Sequence, residues 1–266
     1  MLGIGRSERT KPDRVIPPID LIDAASGSGC GGHFVSRILP GCRICLAYEL
    51  GVCAAASAGA CVEQSVVTLP ARRIVCREQD LLNALPIICE GWAFCAVMLF
   101  DGSRQILSFL LPGDPVSTSL LFAAKPNCFV ETVTPVTYRL FSRSGMREEA
   151  FATPHALDTF SRLRLEEQSR SDALIADLGR RKADERVARL ILGLMQRLQQ
   201  RGMVAVDPPA FDFPLRLHHI ADATGLTPVH VSKVLSGFRG DGLIRLSRRS
   251  LAVLDTAGLA CIAHLR

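Results

Sequence analysis

The sequence predicts an α+β protein in which strands come first and helices follow. Three observations lead to this prediction. Short apolar runs with turn residues between them fill residues 60–143, a pattern typical of an antiparallel roll or sandwich. Residues 154–200 are rich in Leu, Ala, Glu, Arg and Gln, which favours helices. Near the C-terminus, two short helical segments flank a glycine, as in a helix-turn-helix.

The composition is that of a globular protein. The chain has 266 residues, 48% of them hydrophobic, which is enough for two domains with cores of their own. A formal net charge of +5 suits an anionic partner. Since no run of about 18 apolar residues occurs and residues 1–20 lack the apolar region of a signal peptide, we expect a cytoplasmic protein with no membrane partner. Its ten cysteines are then expected to be metal ligands, redox thiols or buried side chains rather than disulfides.

The chain divides into four parts. Residues 1–32 are polar and contain Pro and Gly, so we expect a flexible arm. Residues 33–150 contain a cysteine-rich stretch and then the predicted strands. Residues 151–180 are predicted to form a long helix, and residues 181–266 form the part that ends in the helix-turn-helix.

Two helices are predicted between residues 154 and 200, with a break near Gly179. Pro154 suits the first turn of the first helix, because proline fits there without losing a hydrogen bond. In the second helix, Val187 and Ile191 belong to a clean apolar stripe that must pack against a core. Residues 202–214 are predicted to form a loop.

Residues 215–238 carry the local signals of a helix-turn-helix. Gly225 can adopt the left-handed conformation that ends the first helix. Thr227 is a good N-cap for the second helix, and Pro228 suits its first position. Ala221 is small where the two helices would cross. A helix pair that serves packing alone is the alternative, but the capping residues, the small residues and the basic residues that follow all agree with a DNA-binding motif.

A basic hairpin is predicted after the second helix. The runs LIRL and LAVL flank SRRS, which we interpret as a two-stranded wing with Arg248 and Arg249 at its tip. Basic residues outnumber acidic residues in 211–266. A cationic tip beside the second helix can follow the phosphates of DNA.

Three stretches carry a resemblance to a known family, and together they span roughly residues 33–260. FPLRLHHIADATGLTPVHVSKVLSGFRGDGLIRL, followed by RRSLAVLD, resembles the DNA-binding end of Crp/Fnr transcription regulators, in particular the Fnr, FnrN and FixK branch. DGSRQILSFLLPGD resembles that family's β-roll signature, and ADERVARLILGLMQRL resembles the helix that opens its C-terminal domain. The resemblance implies a cyclic-nucleotide-binding-like β-roll as the sensor (33–150), a dimerisation helix (151–180) and a winged helix-turn-helix (181–266). It also implies a homodimer on a palindromic operator in double-stranded DNA, with RNA polymerase as a further partner.

The second helix of the motif would enter the major groove. The candidate DNA contacts on this helix and on the wing are Thr227, Val229, His230, Ser232, Lys233, Ser236, Arg248 and Arg249. The Fnr branch often has Glu-x-x-Ser-Arg at the positions of Val229, Ser232 and Lys233. Lysine can bind guanine edges but lacks the fixed fork of arginine, and valine cannot accept a hydrogen bond from cytosine.

The residues after the LPGD turn argue against cyclic AMP. Crp-type members bind this ligand through a Gly-Glu pair and an Arg-Ser pair. Here Ser117 and Thr118 stand at the first place, and Asn127 and Cys128 fall near the second. Without the arginine a ring phosphate would lose its cation, so we expect no cyclic AMP binding.

The stretch CRICLAYELGVC sets Cys42, Cys45 and Cys53 at C-x2-C-x7-C spacing. Thiolates at this spacing can reach one metal ion or cluster. Members of the Fnr branch carry such a group just before the β-roll, where it holds an oxygen-labile 4Fe-4S cluster together with a fourth, distant cysteine. The resemblance therefore implies ligand roles for these three cysteines.

The fourth ligand departs from the family pattern. The family's position falls close to Tyr138, which is no ligand of this kind. Cys128 is preferred in its place, because it lies one strand earlier in the same roll, and Cys61 is the other candidate. The remaining cysteines of the globular part are expected to be small buried hydrophobic residues: Cys76, Cys89, Cys95 and Cys261.

Several alternatives stay open. The cysteine group could bind zinc, act by thiol redox chemistry or be vestigial in a regulator without a ligand. In another class of function, a metal-binding protein would use the helix-turn-helix to contact only protein. An enzyme is not expected: GSGCGG at 27–32 fits a nucleotide-loop pattern, but Pro40 stops the run behind it. His218 and His219 are expected on a solvated helix surface rather than at a metal.

Overall fold

Two antiparallel sheets form the N-terminal part of the structure, a computed structural model that describes Glu49 and residues 63–265. One sheet has the strand order β1-β7-β3 and the other β2-β6-β4-β5. Neighbouring strands in both sheets run antiparallel. The strands are β1 (Glu63–Leu69), β2 (Ile74–Cys76), β3 (Ala84–Glu90), β4 (Ala93–Met98), β5 (Arg104–Leu110), β6 (Phe129–Thr132) and β7 (Val136–Ser142).

Both sheets bury apolar side chains. Ile87 of the first sheet and Phe94 of the second are fully buried, as is Phe141 on β7. The β3–β4 turn requires glycine at Gly91, because its φ is +83° and a Cβ there would lie 2.1 Å from the carbonyl oxygen of Pro135. This turn thereby packs directly against the loop before β7.

Helices follow the last strand of the roll. They are α1 (Arg143–Ala152), α2 (Pro154–Arg180) and α3 (Ala183–Gln199). Thr153 separates the first two: its backbone is extended, and its hydroxyl oxygen accepts a hydrogen bond from the amide of Ala156 at 3.1 Å. The long helix therefore begins at Pro154, which confirms the prediction that this proline lies in its first turn. The predicted break near Gly179 is confirmed by the end of α2 at Arg180.

The C-terminal part combines two short helices with a sheet. Its elements are β8 (Ala205–Val206), β9 (Pro209–Asp212), α4 (Leu217–Thr224), α5 (Pro228–Gly240), β10 (Ile244–Leu246), β11 (Ser250–Val253) and α6 (Thr256–Ile262). The strand order in the sheet is β10-β11-β9-β8. The predicted wing is thus part of a four-stranded sheet. Residues 202–214, predicted as a loop, contribute two of its strands.

The apolar stripe of α3 supplies the core of this C-terminal part. Val187, Ile191 and Leu198 are buried, and they belong to one cluster with Val231 and Leu235 of α5. Together these elements confirm the predicted α+β class, with a β-roll, a long helix and a winged helix-turn-helix in this order. Within residues 63–265, no helix is both long and apolar enough to cross a membrane.

Candidate DNA interface and candidate sensor site

The turn of the helix-turn-helix is set by Gly225. Its φ of +65° is left-handed, and its backbone N–H donates to the carbonyl of Ala221. A Cβ at this position would lie 3.0 Å from Cδ2 of Leu178 on α2. The hydroxyl oxygen of Thr227 then accepts a hydrogen bond from the amide of His230 at 3.2 Å, which starts α5 with Pro228 in its first turn. The predicted capping residues are therefore confirmed.

Helix α5 has one buried and one exposed face. Val231, Leu235 and Phe238 are buried in the core. The candidate DNA contacts of this helix and of its N-cap are all exposed: Thr227, Val229, His230, Ser232, Lys233 and Ser236. Val229 is 81% exposed, so the exposed face also offers an apolar side chain. Such a face is free to meet a groove of DNA.

The wing tip stands in solvent beside this motif. Ser247 donates its backbone N–H to the carbonyl of Ser250 at 2.9 Å, which closes the turn between β10 and β11. The turn contains Arg248 and Arg249, and both are exposed. Nη2 of Arg249 lies 3.7 Å from Oδ2 of Asp212, but both side chains are more than half exposed. This ion pair therefore contributes little to stability.

A sheet of the β-roll contacts the first helix of the motif directly. Arg104 on β5 donates hydrogen bonds from Nε and Nη2 to Oδ2 of Asp222 on α4, at 2.9 and 2.7 Å. Its Nη1 reaches Oε2 of Glu131 on β6 at 3.2 Å, and its guanidinium lies 4.7 Å from the ring centre of Phe94. The contact between Arg104 and Asp222 joins residues 118 positions apart, and no local pattern in the sequence indicates it.

The two histidines at the start of α4 differ in their surroundings. His218 is exposed, whereas His219 is buried, so the prediction of a solvated surface is wrong for His219. Its Nδ1 accepts a hydrogen bond from the backbone amide of Arg216 at 3.1 Å, and its ring packs at 5.8 Å from that of Phe94. Burial, followed by the positive charges of His218 and Arg104, lowers the pKa of His219 to about 3. This imidazole is therefore neutral at physiological pH.

A cavity of about 290 Å3 lies between the β-roll and α2. Ser117, Thr118, Asn127 and Cys128 line it, as does Glu167 from α2. The Glu167 carboxylate accepts hydrogen bonds from the backbone amide of Thr118 at 3.0 Å and from its hydroxyl at 2.5 Å. Arg164 lies 3.1 Å from this carboxylate, and Arg170, Arg197 and Arg201 also line the cavity. The lining therefore carries charges of both signs, and the absence of cyclic AMP binding stays a prediction from the residues after the LPGD turn.

The LPGD turn is tied to α3 by buried ion pairs. Asp114 pairs with Nη2 of Arg197 and of Arg201, each at 2.5 Å, and accepts a hydrogen bond from the amide of Leu111 at 2.7 Å. Burial alone would raise the pKa of Asp114, but the two guanidinium groups hold this pKa below its ordinary value. The turn therefore carries a permanent negative charge that links the sensor to the helix leading into the DNA-binding part.

The predicted cluster ligands are divided between described and undescribed residues. Cys42, Cys45 and Cys53 lie outside the described residues, as does Cys61 and the predicted arm. Cys128 is buried just before β6. The neighbouring Cys128 thiol, followed by burial, raises the pKa of Cys95. Two neighbouring thiols suit a soft metal ion, although residues 63–265 contain no group of three or more His, Cys, Asp or Glu side chains that could hold one.

The other cysteines follow the expectation with one exception. Cys76, Cys89 and Cys95 are buried, as predicted for small apolar residues. Burial, followed by the charge of Asp80, raises the pKa of Cys76 to about 12. Cys261 is exposed, so that prediction is wrong. It lies on α6, whose buried side is formed by Leu259.

One contact involves the cysteine-bearing stretch itself. Glu49, which lies between Cys45 and Cys53 in the sequence, has a helical backbone. Its Oε2 is 2.9 Å from Nη2 of Arg162 on α2. Glu49 therefore contacts the long helix, and no local pattern in the sequence indicates that these two charges pair.

Comparison with known proteins agrees with this geometry. A family model described as a Crp-like helix-turn-helix domain matches residues 185–262. The nitrogen fixation regulation protein FixK of Bradyrhizobium diazoefficiens is 29% identical over 70% of this chain and 76% of its own length. The transcriptional activator protein FnrL of Cereibacter sphaeroides is 28% identical over 85% of this chain and 93% of its own. The names of both relatives describe regulators, and that of FnrL describes an activator of transcription.

A solved structure shows the same fold. FixK2 from Bradyrhizobium japonicum superimposes with a TM-score of 0.66 at 23% identity, over 74% of this chain and 96% of that chain. The match includes most of the other chain, so the β-roll, the long helix and the DNA-binding part belong to one shared architecture.

Proposed function

This chain belongs to the Crp/Fnr family of DNA-binding transcription regulators, and on that premise we propose that it binds a palindromic operator as a homodimer and responds to oxygen or redox state. The operator is read by α5 and the wing. The signal is received by an iron–sulfur cluster at Cys42, Cys45 and Cys53, with Cys128 as the fourth ligand.

The exposed face of α5 is the observation that carries the DNA-binding part. Ser232 and Lys233 point away from the core that Val231 and Leu235 form, so both are available to base edges. A serine can donate to or accept from a base, and a lysine can bind guanine. The exposed Val229 suits a thymine methyl group. The wing arginines add contacts to phosphates, which hold the helix in register without reading sequence.

The long helix supports a homodimer. Helix α2 spans 27 residues, and it exposes the apolar side chains Leu157, Leu165 and Ile175 by 43%, 70% and 70%. A second copy of the helix would remove these side chains from water. A two-fold dimer presents two copies of α5 to two half-sites of a palindrome.

The contact of Glu49 with Arg162 supports a path from the cysteine group to the dimer helix. A 4Fe-4S cluster, when bound, would supply an oxygen-labile centre at this stretch. The segment around Glu49 is then held in place by its ligands on both sides, which favours the ion pair on α2. Loss of that order weakens the dimer, and a monomer binds one half-site where a dimer binds two.

We also propose that the DNA-bound dimer activates transcription through RNA polymerase. The relative from Cereibacter sphaeroides carries the name of a transcriptional activator.

Selection of bound duplexes from a random DNA pool, followed by a mobility shift, tests the DNA-binding part. The expected result is a palindromic sequence that binds two chains. Lys233→Gln should weaken binding by about 1–3 kcal/mol per half-site and relax the base preference at one position of each half-site. Arg77→Gln, an exposed arginine of the β-roll, is the matched control and should leave binding unchanged. Absence of any specific shift would show that the motif contacts only protein.

Anaerobic purification followed by iron, sulfide and zinc analysis tests the sensor part. Iron and sulfide near four per chain are expected for the wild type, with much less in Cys45→Ser and Cys128→Ser. Cys261→Ser, which alters an exposed thiol, should keep the full content. Zinc instead of iron would favour the zinc alternative. If the protein contains neither metal, thiol redox chemistry and regulation without a ligand remain as the alternatives.

A further inference from the structure

A cationic cavity lies where the β-roll meets the DNA-binding part. Its volume is about 490 Å3. It is enclosed by the segment between β1 and β2, the start of α4 and the tip of the wing. Five arginines line it, and Glu131 is the acidic residue of its lining. The arginines are Arg72 and Arg104 from the β-roll, Arg216 from the N-cap of α4, and Arg248 and Arg249 from the wing.

The positive charge of this cavity is only partly balanced. Arg104 is paired with Glu131 and with Asp222. Among residues 63–265, no carboxylate oxygen lies within 4.0 Å of the side chains of Arg72, Arg216 or Arg248. Burial is the main cause of the low pKa of His219. Neighbouring positive charges, including those of Arg216 and Arg72, lower this pKa further. Like charges that converge without partners cost free energy, and an anion from outside would remove that cost.

Arg72 is held in the cavity wall by its backbone. Its φ is +60°, a left-handed conformation that is unfavourable for a long side chain. The conformation is kept by a hydrogen bond from its amide to the carbonyl of Thr132 at 2.8 Å, and the next amide donates to the hydroxyl of Thr132 at 2.9 Å. The segment before β2 is thus fixed to β6, with Arg72 exposed at its tip.

The other side of the cavity belongs to the DNA-binding motif. In a helix-turn-helix the first helix crosses the DNA backbone while the second enters the groove. Arg216 precedes the first helix and Arg248 lies at the wing tip, so both stand where phosphates next to a half-site would pass. Arg72 shares one cavity with them although it comes from the sensor.

We propose that the phosphate backbone flanking each half-site lies across this cavity, so that Arg72 of the β-roll binds DNA together with Arg216 and Arg248. This inference rests on the proposed function. DNA would then contact the sensor domain as well as the winged helix-turn-helix. The contact adds affinity without base specificity, since it is made to phosphates. It also means that bound DNA holds the β-roll and the reader in one arrangement.

Salt titrations on two duplexes test the proposal. One duplex ends at the selected palindrome, and the other extends about ten base pairs further on each side. On the extended duplex, Arg72→Gln should reduce the slope of log K against log salt by about 1.8, or about 0.9 for each of two phosphate contacts in a dimer. On the trimmed duplex, the variant should match the wild type.

Three controls make the result specific. Arg72→Lys keeps the charge and should keep the slope of the wild type. Arg77→Gln removes an exposed arginine of the same domain that does not line the cavity, and it should have no effect. Thermal unfolding of Arg72→Gln should occur at the wild-type temperature or slightly above it, because the side chain is exposed and its removal relieves repulsion between the arginines.

The proposal is overturned if Arg72→Gln and the wild type have the same slope on the extended duplex while the wild type binds it specifically. In that case the proposed function stands. If the wild type binds neither duplex specifically, the proposed function fails and this inference fails with it. A titration with pyrophosphate, monitored through the NMR signals of His218, tests whether the cavity binds a soluble anion. Micromolar binding that Arg72→Gln abolishes, with an unchanged DNA slope, would assign the cavity to that anion instead.

Discussion

Arg104 of the β-roll and Asp222 of the first helix of the DNA-binding motif are joined by two hydrogen bonds to one carboxylate oxygen, at 2.9 and 2.7 Å. Both side chains are largely shielded from water, with 19% and 26% exposure. Charge-assisted bonds of this kind are stronger than those between neutral groups. The pair therefore fixes how the sensor sheet sits on α4, and α4 in turn positions α5.

A double-mutant cycle with Arg104→Gln and Asp222→Asn should give a coupling free energy of about 1–2 kcal/mol, because the pair is partly buried and hydrogen-bonded. Urea denaturation of the four proteins measures it. The same cycle on Arg162 and Glu166, whose side chains are about half exposed, should give only about 0.3–0.5 kcal/mol. Equal coupling in the two cycles would show that the contact between sheet and α4 has no special weight.

Replacement of Gly225 should destabilise the DNA-binding part. Alanine at φ +65° is strained, and its Cβ would approach Leu178 to 3.0 Å, so we expect Gly225→Ala to cost about 1–2 kcal/mol. Gly179→Ala is the matched control, because this glycine lies in α2 with nothing within 4 Å of an added Cβ. It should stabilise by up to about 1 kcal/mol. Thermal unfolding measures both, and equal effects would contradict the argument.

The charge of Asp114 should make stability depend on pH. Its folded pKa is depressed by Arg197 and Arg201 against the effect of burial. A depressed carboxyl pKa contributes stability above the unfolded pKa of about 3.9, and this contribution is lost as the pH falls through the folded value. Asp114→Asn leaves two buried guanidinium groups unpaired and should cost about 3 kcal/mol at pH 7. The stability gap between wild type and variant should narrow as the pH falls below about 4, and a gap that stays constant to pH 3 would contradict this role.

The pair of Glu49 and Arg162 should matter for the response to oxygen more than for stability. The pair is partly exposed, so Arg162→Gln should change the free energy of unfolding by less than about 1 kcal/mol. The ratio of DNA affinity without oxygen to that with oxygen should fall by a few fold, since even about 1 kcal/mol of coupling is a factor of about five. Arg180→Gln, an exposed change at the end of the same helix, should leave the ratio as it is. An unchanged affinity ratio in Arg162→Gln would show that the ion pair of Glu49 and Arg162 does not transmit the oxygen signal.

Local signals in the sequence predicted the DNA-binding motif well. Thr227 caps α5 and Gly225 ends the turn, as expected, because a cap or a left-handed residue acts on neighbours a few positions away. The exposure of Ser232 and Lys233 follows from the same helical periodicity. The family resemblance added the name and the order of the domains, which periodicity alone does not give.

Burial was predicted less well. His219 was expected in solvent and is buried against Phe94, while Cys261 was expected inside and is exposed. Each outcome depends on which other element covers the residue. That covering is set by the packing of whole elements, so it is invisible in the residues on either side.

By itself, the sequence determined the helix bounds around Gly225, the alternation of the strands and the chemistry available on α5, since these depend on interactions within one or two turns of chain. Only the tertiary structure decided that Glu167 forms a hydrogen bond with Thr118 in the sensor cavity and that Arg104 forms one with Asp222. It also decided that Arg72 lies beside the wing. Those contacts join residues from separate elements, and their partners are chosen by how apolar faces pack together. The charges on top of those faces then meet wherever the packing brings them.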